Sequence, residues 1–210
     1  MNVRDPRTGK VRLLVLVGPT AVGKTRYSIE IARRWNAEII SGDSMQVYCG
    51  MDIGTAKIRP EETSGIPHHL IDIRDPEEPF AAGEFQQLAR GLIGEIAARG
   101  RLPFIVGGTG LYIESLLYGF DFPEAPADNR IRAELQRFAE QHGAEALHER
   151  LREVDPASAA RLHPNDVKRV VRALEIAIGT GEAMSAKISG FREPRESPYD
   201  FCLIGLTMDR

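Results

Sequence analysis

The chain is predicted to fold as an α/β protein, a parallel sheet flanked by helices and carrying an all-helical insertion, and three observations predict it. Short apolar runs alternate with longer amphipathic ones up to about Gly119, the texture of β-α-β units. The apolar run Leu13-Leu14-Val15-Leu16-Val17 leads straight into Gly18-Pro19-Thr20-Ala21-Val22-Gly23-Lys24-Thr25, a strand, a glycine-rich turn and the start of a helix. From Asp121 to Pro198 only helical periodicity is found, before a strand-like run returns.

Taken in order, strands are expected at Arg12–Val17, Ala37–Ser41, His69–Ile73 and Leu102–Val106. Helices are expected at Thr25–Trp35 and Gly83–Arg99, the second closed by Gly100 as its C-cap. The insertion reads as four helices, Asn129–His142, Ala144–Val154, Pro156–Leu162 and Asp166–Ile178. Phe201-Cys202-Leu203-Ile204-Gly205-Leu206 then regains the core. The expected organisation is a core over residues 1–120, a helical insertion over 121–198 and a return to the core over 199–210. A sequence that stops so soon after a core strand is expected to be a piece of a longer protein.

The chain has 210 residues, enough for a full core. Its 42% hydrophobic and 27% charged content is that of an ordinary globular protein. A net charge of −3 argues against wholesale coating of nucleic acid and leaves room for local basic patches. Cys49 and Cys202 are the only cysteines and form no metal-binding spacing, so a reducing cytoplasm is expected. The apolar run near the N-terminus is too short to span a bilayer and continues into the glycine-rich turn, so no membrane partner is expected.

The residues Gly18 to Thr25 form a phosphate loop, and the sheet is therefore expected to be P-loop NTPase-like. Its glycines let successive N–H groups turn inward on phosphate oxygens, and the following helix adds its positive end. Lys24 supplies a point charge, and Thr25 offers a hydroxyl to Mg²⁺. Asp43, just past the second strand, is placed across the crevice at the carboxyl ends of the strands. A carboxylate there suits Mg²⁺ or general-base work, and a helix N-cap by Asp43 or Ser44 accounts equally well for the spacing. The fourth strand ends in Gly107-Gly108-Thr109-Gly110 without an acid, which argues against ordinary nucleotide hydrolysis. Adjacent His68 and His69 point to opposite faces of an extended chain and are not expected to share a metal. Lys168, Arg169 and Arg172 make a basic helix edge that reads as a solvated face or, more weakly, as a phosphate contact.

Together with Gly50-Met51-Asp52-Ile53-Gly54-Thr55-Ala56-Lys57, Pro67-His68-His69-Leu70-Ile71-Asp72, Val106–Tyr112, His163-Pro164-Asn165-Asp166 and Arg172-Ala173-Leu174-Glu175, these motifs resemble the tRNA isopentenyltransferase (dimethylallyltransferase) family, in order from Leu13 to Arg210. The run Asp43–Lys57 is far more specific than the phosphate loop. The resemblance implies transfer of a dimethylallyl group from its diphosphate to N6 of an adenosine 3′ to the anticodon. Gly18–Thr25 would then hold dimethylallyl diphosphate with Thr20 facing it, and Lys24 with a Thr25-bound Mg²⁺ would stabilise the departing pyrophosphate. It also implies that Asp43 is the general base, that Thr109 lies near the target nucleotide, and that Asp43, Ser44, Met45 and Gln46 lie against a flipped adenosine. Arg132, Lys168, Arg169, Val170, Val171 and Arg172 match positions that touch the anticodon stem-loop. Cys49 stands where relatives usually carry a basic residue. The family continues past Arg210 into further helices and tRNA-binding residues, and a monomer is the expected working form. Two rivals share the loop: an adenylate prenyltransferase of cytokinin type, which has no need of the insertion, and a small-molecule kinase, which leaves Asp43–Lys57 unexplained.

Overall fold

A computed structural model describes residues 2–120, 122, 128–188 and 196–208, so Asp121 and Arg210 lie outside the described residues. The chain divides into two compact units, residues 1–119 with 194–210 and residues 120–193.

The first unit contains β1 (Val11–Val17), α1 (Lys24–Trp35), β2 (Ala37–Ser41), β3 (His68–His69), α2 (Ala82–Ala98), β4 (Leu102–Gly107) and α3 (Gly110–Tyr118), and the chain later returns as the last strand of its sheet (Tyr199–Gly205). The strands, all parallel, lie in the order β3-β2-β4-β1 and then this last strand. Because side chains alternate along a strand, each sends one set to either face. Leu13, Val15, Ile40 and Ile105 pack against Phe85, Ile93 and Ile96 of α2 and Leu116 of α3. Leu16, Ile39 and Phe104 pack on the opposite face with Ala32 of α1. Burial on both faces explains why the strands read as near-continuous apolar runs. Each large apolar side chain so buried contributes about 1.5–3 kcal/mol.

In this unit two elements depart from the sequence reading, and in the other a fifth helix (Met184–Ile188) was not expected. The strand expected at His69–Ile73 is only two residues long, paired as Ile39↔His68 and Ile40↔His69. Leu70 and Asp72 adopt φ of 60° and 54°, left-handed values that a strand does not accommodate. The chain instead turns so that the amides of Ile73 and Arg74 donate to Val47 O at 2.8 and 3.0 Å. Helix α3 follows the glycine-rich end of β4 at once, where the sequence showed only a turn.

The second unit contains α4 (Asn129–His142), α5 (Ala144–Val154), α6 (Pro156–Arg161), α7 (Val167–Thr180) and α8 (Met184–Ile188). With all helices named, the returning strand is β5. Leu135 of α4, Leu147 and Leu151 of α5, and Val170, Ala173 and Leu174 of α7 form its core. Three aspartates cap its helices: Asp128 accepts from the amides of Arg130 and Ile131, Asp155 from Ser158 and Asp166 from Arg169. Each cap of this kind contributes about 1 kcal/mol.

Candidate active site

Register alone brings three loops together. Leu16 lies beside Val106, Val17 beside Gly107, and Ser41 beside Val106, so the loops after β1, β2 and β4 emerge level at the carboxyl edge. Those after β2 and β4 are stitched to each other. Gly42 N donates to Val106 O at 2.8 Å, Thr109 N donates to Gly42 O at 3.2 Å, and Ser44 N donates to Thr109 Oγ1 at 3.0 Å. The approach is so close that a Cβ on Gly107 would stand 2.2 Å from Gly42 O, so no other residue fits there. Gly18 is similarly pressed against the end of β5, where a Cβ would meet Leu206 O at 2.7 Å.

The phosphate loop runs from Gly18 through Ala21, held at φ 66°, to Gly23 at φ 91°, where α1 begins with Lys24 and Thr25. Strain of this kind in a non-glycine residue persists only where the surrounding structure enforces it. Lys24 Nζ donates to Gly18 O and Pro19 O, both at 2.7 Å, and so curls over the loop that it would share with a phosphate. Burial pushes the Lys24 ammonium below its ordinary value, and the negative field of Asp43 opposes that shift. Lys24, Thr25, Ser41, Asp43 and Gln46 line one crevice together with His68.

Asp43 Oδ1 accepts from Met45 N at 2.9 Å, which closes the turn and fixes the carboxylate. Gln46 is gripped at both ends, its Oε1 accepting from Ser41 Oγ at 3.0 Å and its Nε2 donating to Thr55 O at 3.2 Å. Ser44 is half-buried, Met45 exposed, and Thr20 and Thr25 are exposed on the loop. Tyr112 lies beneath, stacked on Phe85 with ring centroids 4.5 Å apart. Burial, with the fields of Tyr48, Glu84 and Asp43, pushes its phenol up to about 12, so it stays protonated.

The two histidines part company. His69 Nε2 meets Glu38 Oε2 at 2.8 Å, whereas His68 Nδ1 lies 2.8 Å from Ile66 O and its ring lines the crevice. Burial pushes His68 below its ordinary value. The sequence marked this pair but gave His68 no role at the site. Lys57 was also missed. It is buried, and its ammonium meets Tyr48 O, Asp52 and Asp72.

On the helical unit, Lys168 and Arg169 are exposed, Arg169 pairing with Asp166 at 3.0 Å. Arg132 and Arg172 both meet Glu175, at 2.9 and 2.7 Å, and Glu175 also accepts from Asp128 N. Burial pushes the Glu175 carboxyl up, but the bonds from Arg172 and Arg132 outweigh it and leave it below the ordinary value. Val170 and Val171 are 0% and 5% exposed, so their side chains belong to the core and not to the basic edge. Among the described residues, no helix is long and apolar enough to cross a membrane.

A glycine-rich loop between a strand and a helix, a facing carboxylate and a glycine-lined strand end on a parallel sheet define a P-loop-like α/β protein. The family model described as IPP transferase matches residues 46–210, and the chain belongs to that family. A tRNA dimethylallyltransferase of Symbiobacterium thermophilum is 60% identical over 202 residues, which cover 96% of this chain and 62% of the relative. One of Geobacillus thermodenitrificans is 56% identical, covering 95% of this chain and 62% of that protein. The chain thus spans about 62% of the length of these curated relatives. Among solved structures, the full-length tRNA isopentenylpyrophosphate transferase of Bacillus halodurans is 52% identical with a TM-score of 0.57, covering 92% of this chain and 59% of that one. A eukaryotic dimethylallyltransferase captured acting on tRNA is 31% identical with a TM-score of 0.78, covering 93% and 48%.

Proposed function

We propose that the protein to which this chain belongs transfers a dimethylallyl group from dimethylallyl diphosphate to N6 of the adenosine 3′ to the anticodon of tRNA. The observation that carries this reading is the meeting of Lys24 and Asp43 in one crevice, with no acid at the end of β4. The C1–O bond of the donor breaks, a C1–N6 bond forms, diphosphate leaves, and the N6 proton passes to the Asp43 carboxylate. Lys24 and the inward N–H groups of the loop hold the diphosphate and stabilise its growing charge. Thr20 faces the donor, and Thr109 helps hold the target nucleotide.

The hydroxyl of Thr25 lines the crevice beside Lys24, a hard oxygen donor that would suit Mg²⁺. When bound, Mg²⁺ neutralises charge on the leaving diphosphate. On the helical unit, Lys168, Arg169, Arg132 and Arg172 would meet anticodon stem-loop phosphates. The adenosine reaches Asp43–Gln46 by flipping, which is less costly in a loop than in a duplex. Two exposed, unpaired cysteines fit a reducing compartment, the cytoplasm.

Incubating the protein at its natural length with dimethylallyl diphosphate, Mg²⁺ and unmodified tRNA, followed by nucleoside mass spectrometry, tests this reading. An isopentenyl increment on tRNA adenosine, and none on free AMP, is expected. Product on AMP alone would favour the adenylate prenyltransferase, and phosphoryl transfer from ATP in its place would favour a kinase.

A further inference from the structure

The segment Asp43–Lys57 is far more specific to the family than the phosphate loop, yet the reaction above uses only its first four residues. Its last residue is the most heavily tied. The Lys57 side chain is 4% exposed, and its ammonium donates to Tyr48 O at 2.7 Å, Asp52 Oδ1 at 2.8 Å and Asp72 Oδ1 at 2.5 Å. Three acceptors use its full donor capacity. They belong to three passages of chain: the turn after Asp43, the loop that returns to Lys57, and the segment after β3. Burial pushes the ammonium down, but the bonds to Asp52 and Asp72 outweigh it, so Lys57 stays charged.

The chain around this point is not relaxed. Ala56, Leu70 and Asp72 sit at φ 49°, 60° and 54°. Conformations of this kind are strained and persist only where contacts enforce them. The enforcing contacts are those of Lys57, together with a short ladder in which Asp72 N donates to Gln46 O at 3.1 Å and Cys49 N to Arg74 O at 2.8 Å. Gln46 is joined to the same loop through Thr55 O, and Gln46, Ile58 and Ile71 form one wall of the crevice. The opposite side, where Lys24 closes on Gly18 and Pro19, shares none of these bonds.

We propose that Lys57 is a positioning residue that ties the three passages into one wall and so sets Gln46 for the nucleobase, leaving the diphosphate side untouched. This rests on the transferase reading given above.

Lys57→Met tests it, because methionine fills the buried space and the two carboxylates, 65% and 46% exposed, keep access to water. In the protein at its natural length, kcat/KM for tRNA falls roughly 100-fold, as expected when a reacting group is misplaced by about 1 Å, while the Kd for dimethylallyl diphosphate by calorimetry is unchanged. Amide hydrogen exchange speeds up at Cys49, Asp72 and Ile73 and stays the same across 18–25. Asp72→Asn, which keeps an acceptor but removes one of the two charges that Lys57 meets, shifts both readouts the same way and less. An unchanged kcat/KM, or a loss of donor affinity in proportion to activity, overturns the positioning role. Unaltered exchange at those three amides overturns it as well. A parent protein that transfers nothing to tRNA would bring down the functional reading itself, a result distinct from an active parent with an equally active variant.

Discussion

The Asp43 carboxylate is held by the amide of Met45 and still lines the crevice, so its shape and its basicity can be separated. Asp43→Asn keeps an acceptor for that amide and removes the proton acceptor. Turnover should fall by about 10²–10⁴-fold with donor affinity unchanged, and steady-state rates set beside calorimetry will show whether both hold. Retained turnover would dismiss the general-base role. The same change removes the one influence opposing burial of Lys24, so that ammonium should titrate lower still. Other residues at the site were legible only in part. Glycine at position 107 is plain in the sequence, but that β2 and β4 approach too closely for a Cβ is a fact of packing between segments far apart in the chain. Lys57 was invisible for the same reason, since its partners are gathered from three passages and no local pattern announces them.

Helix α7 shows where periodicity informs and where it stops. Spacing alone places Lys168, Arg169 and Arg172 on an edge, whereas the burial of Val170 and Val171, expected at the tRNA surface, is shown only by the structure. Spacing puts Glu175 one turn from Arg172, but it does not reveal that Arg132 shares this buried carboxylate, 1% exposed, because Arg132 sits on a different helix. The four arginines and lysines are therefore not equivalent. Replacing Lys168 and Arg169 by alanine should lower the slope of log affinity for tRNA against log salt by about 0.7–0.9 per lost phosphate contact, with little change in Tm. Arg172→Ala should lower the slope and also destabilise the helical unit, because Glu175 loses a partner in its buried setting. Equal slopes for parent and double variant would return the exposed pair to being a solvated face. The strand expected at His69–Ile73 failed because its apolar and β-branched residues hide left-handed turns at Leu70 and Asp72, set by the bonds to Val47 and Lys57 and not by local preference.

Over the whole molecule, each unit buries, among its described residues, one glutamate surrounded by arginines. Glu38 on β2 pairs with Arg99, Arg101 and His69. Burial pushes its carboxyl up, and the bonds from Arg99 and His69 more than offset that, so it lies below the ordinary value, as Glu175 does. A carboxyl with a depressed folded pKa contributes stability that is present above the ordinary glutamate range and lost as the pH falls toward the folded value. The urea midpoint should therefore drop progressively over that acid window, and Glu38→Gln should flatten the part that belongs to the sheet unit. A midpoint independent of acid would contradict both assignments. The α/β fold class was readable because its alternation is a local pattern, whereas the strand order was not.

The lone tryptophan, Trp35, is 46% exposed at the end of α1, in a groove it shares with Phe201 and Cys202. All five tyrosines, at 27, 48, 112, 118 and 199, fall outside residues 120–193 as well. Tryptophan and tyrosine absorbance and emission therefore arise from the sheet unit alone. Emission and far-ultraviolet dichroism followed through one denaturation would watch different parts of the chain, and their divergence would resolve the two units without a single label.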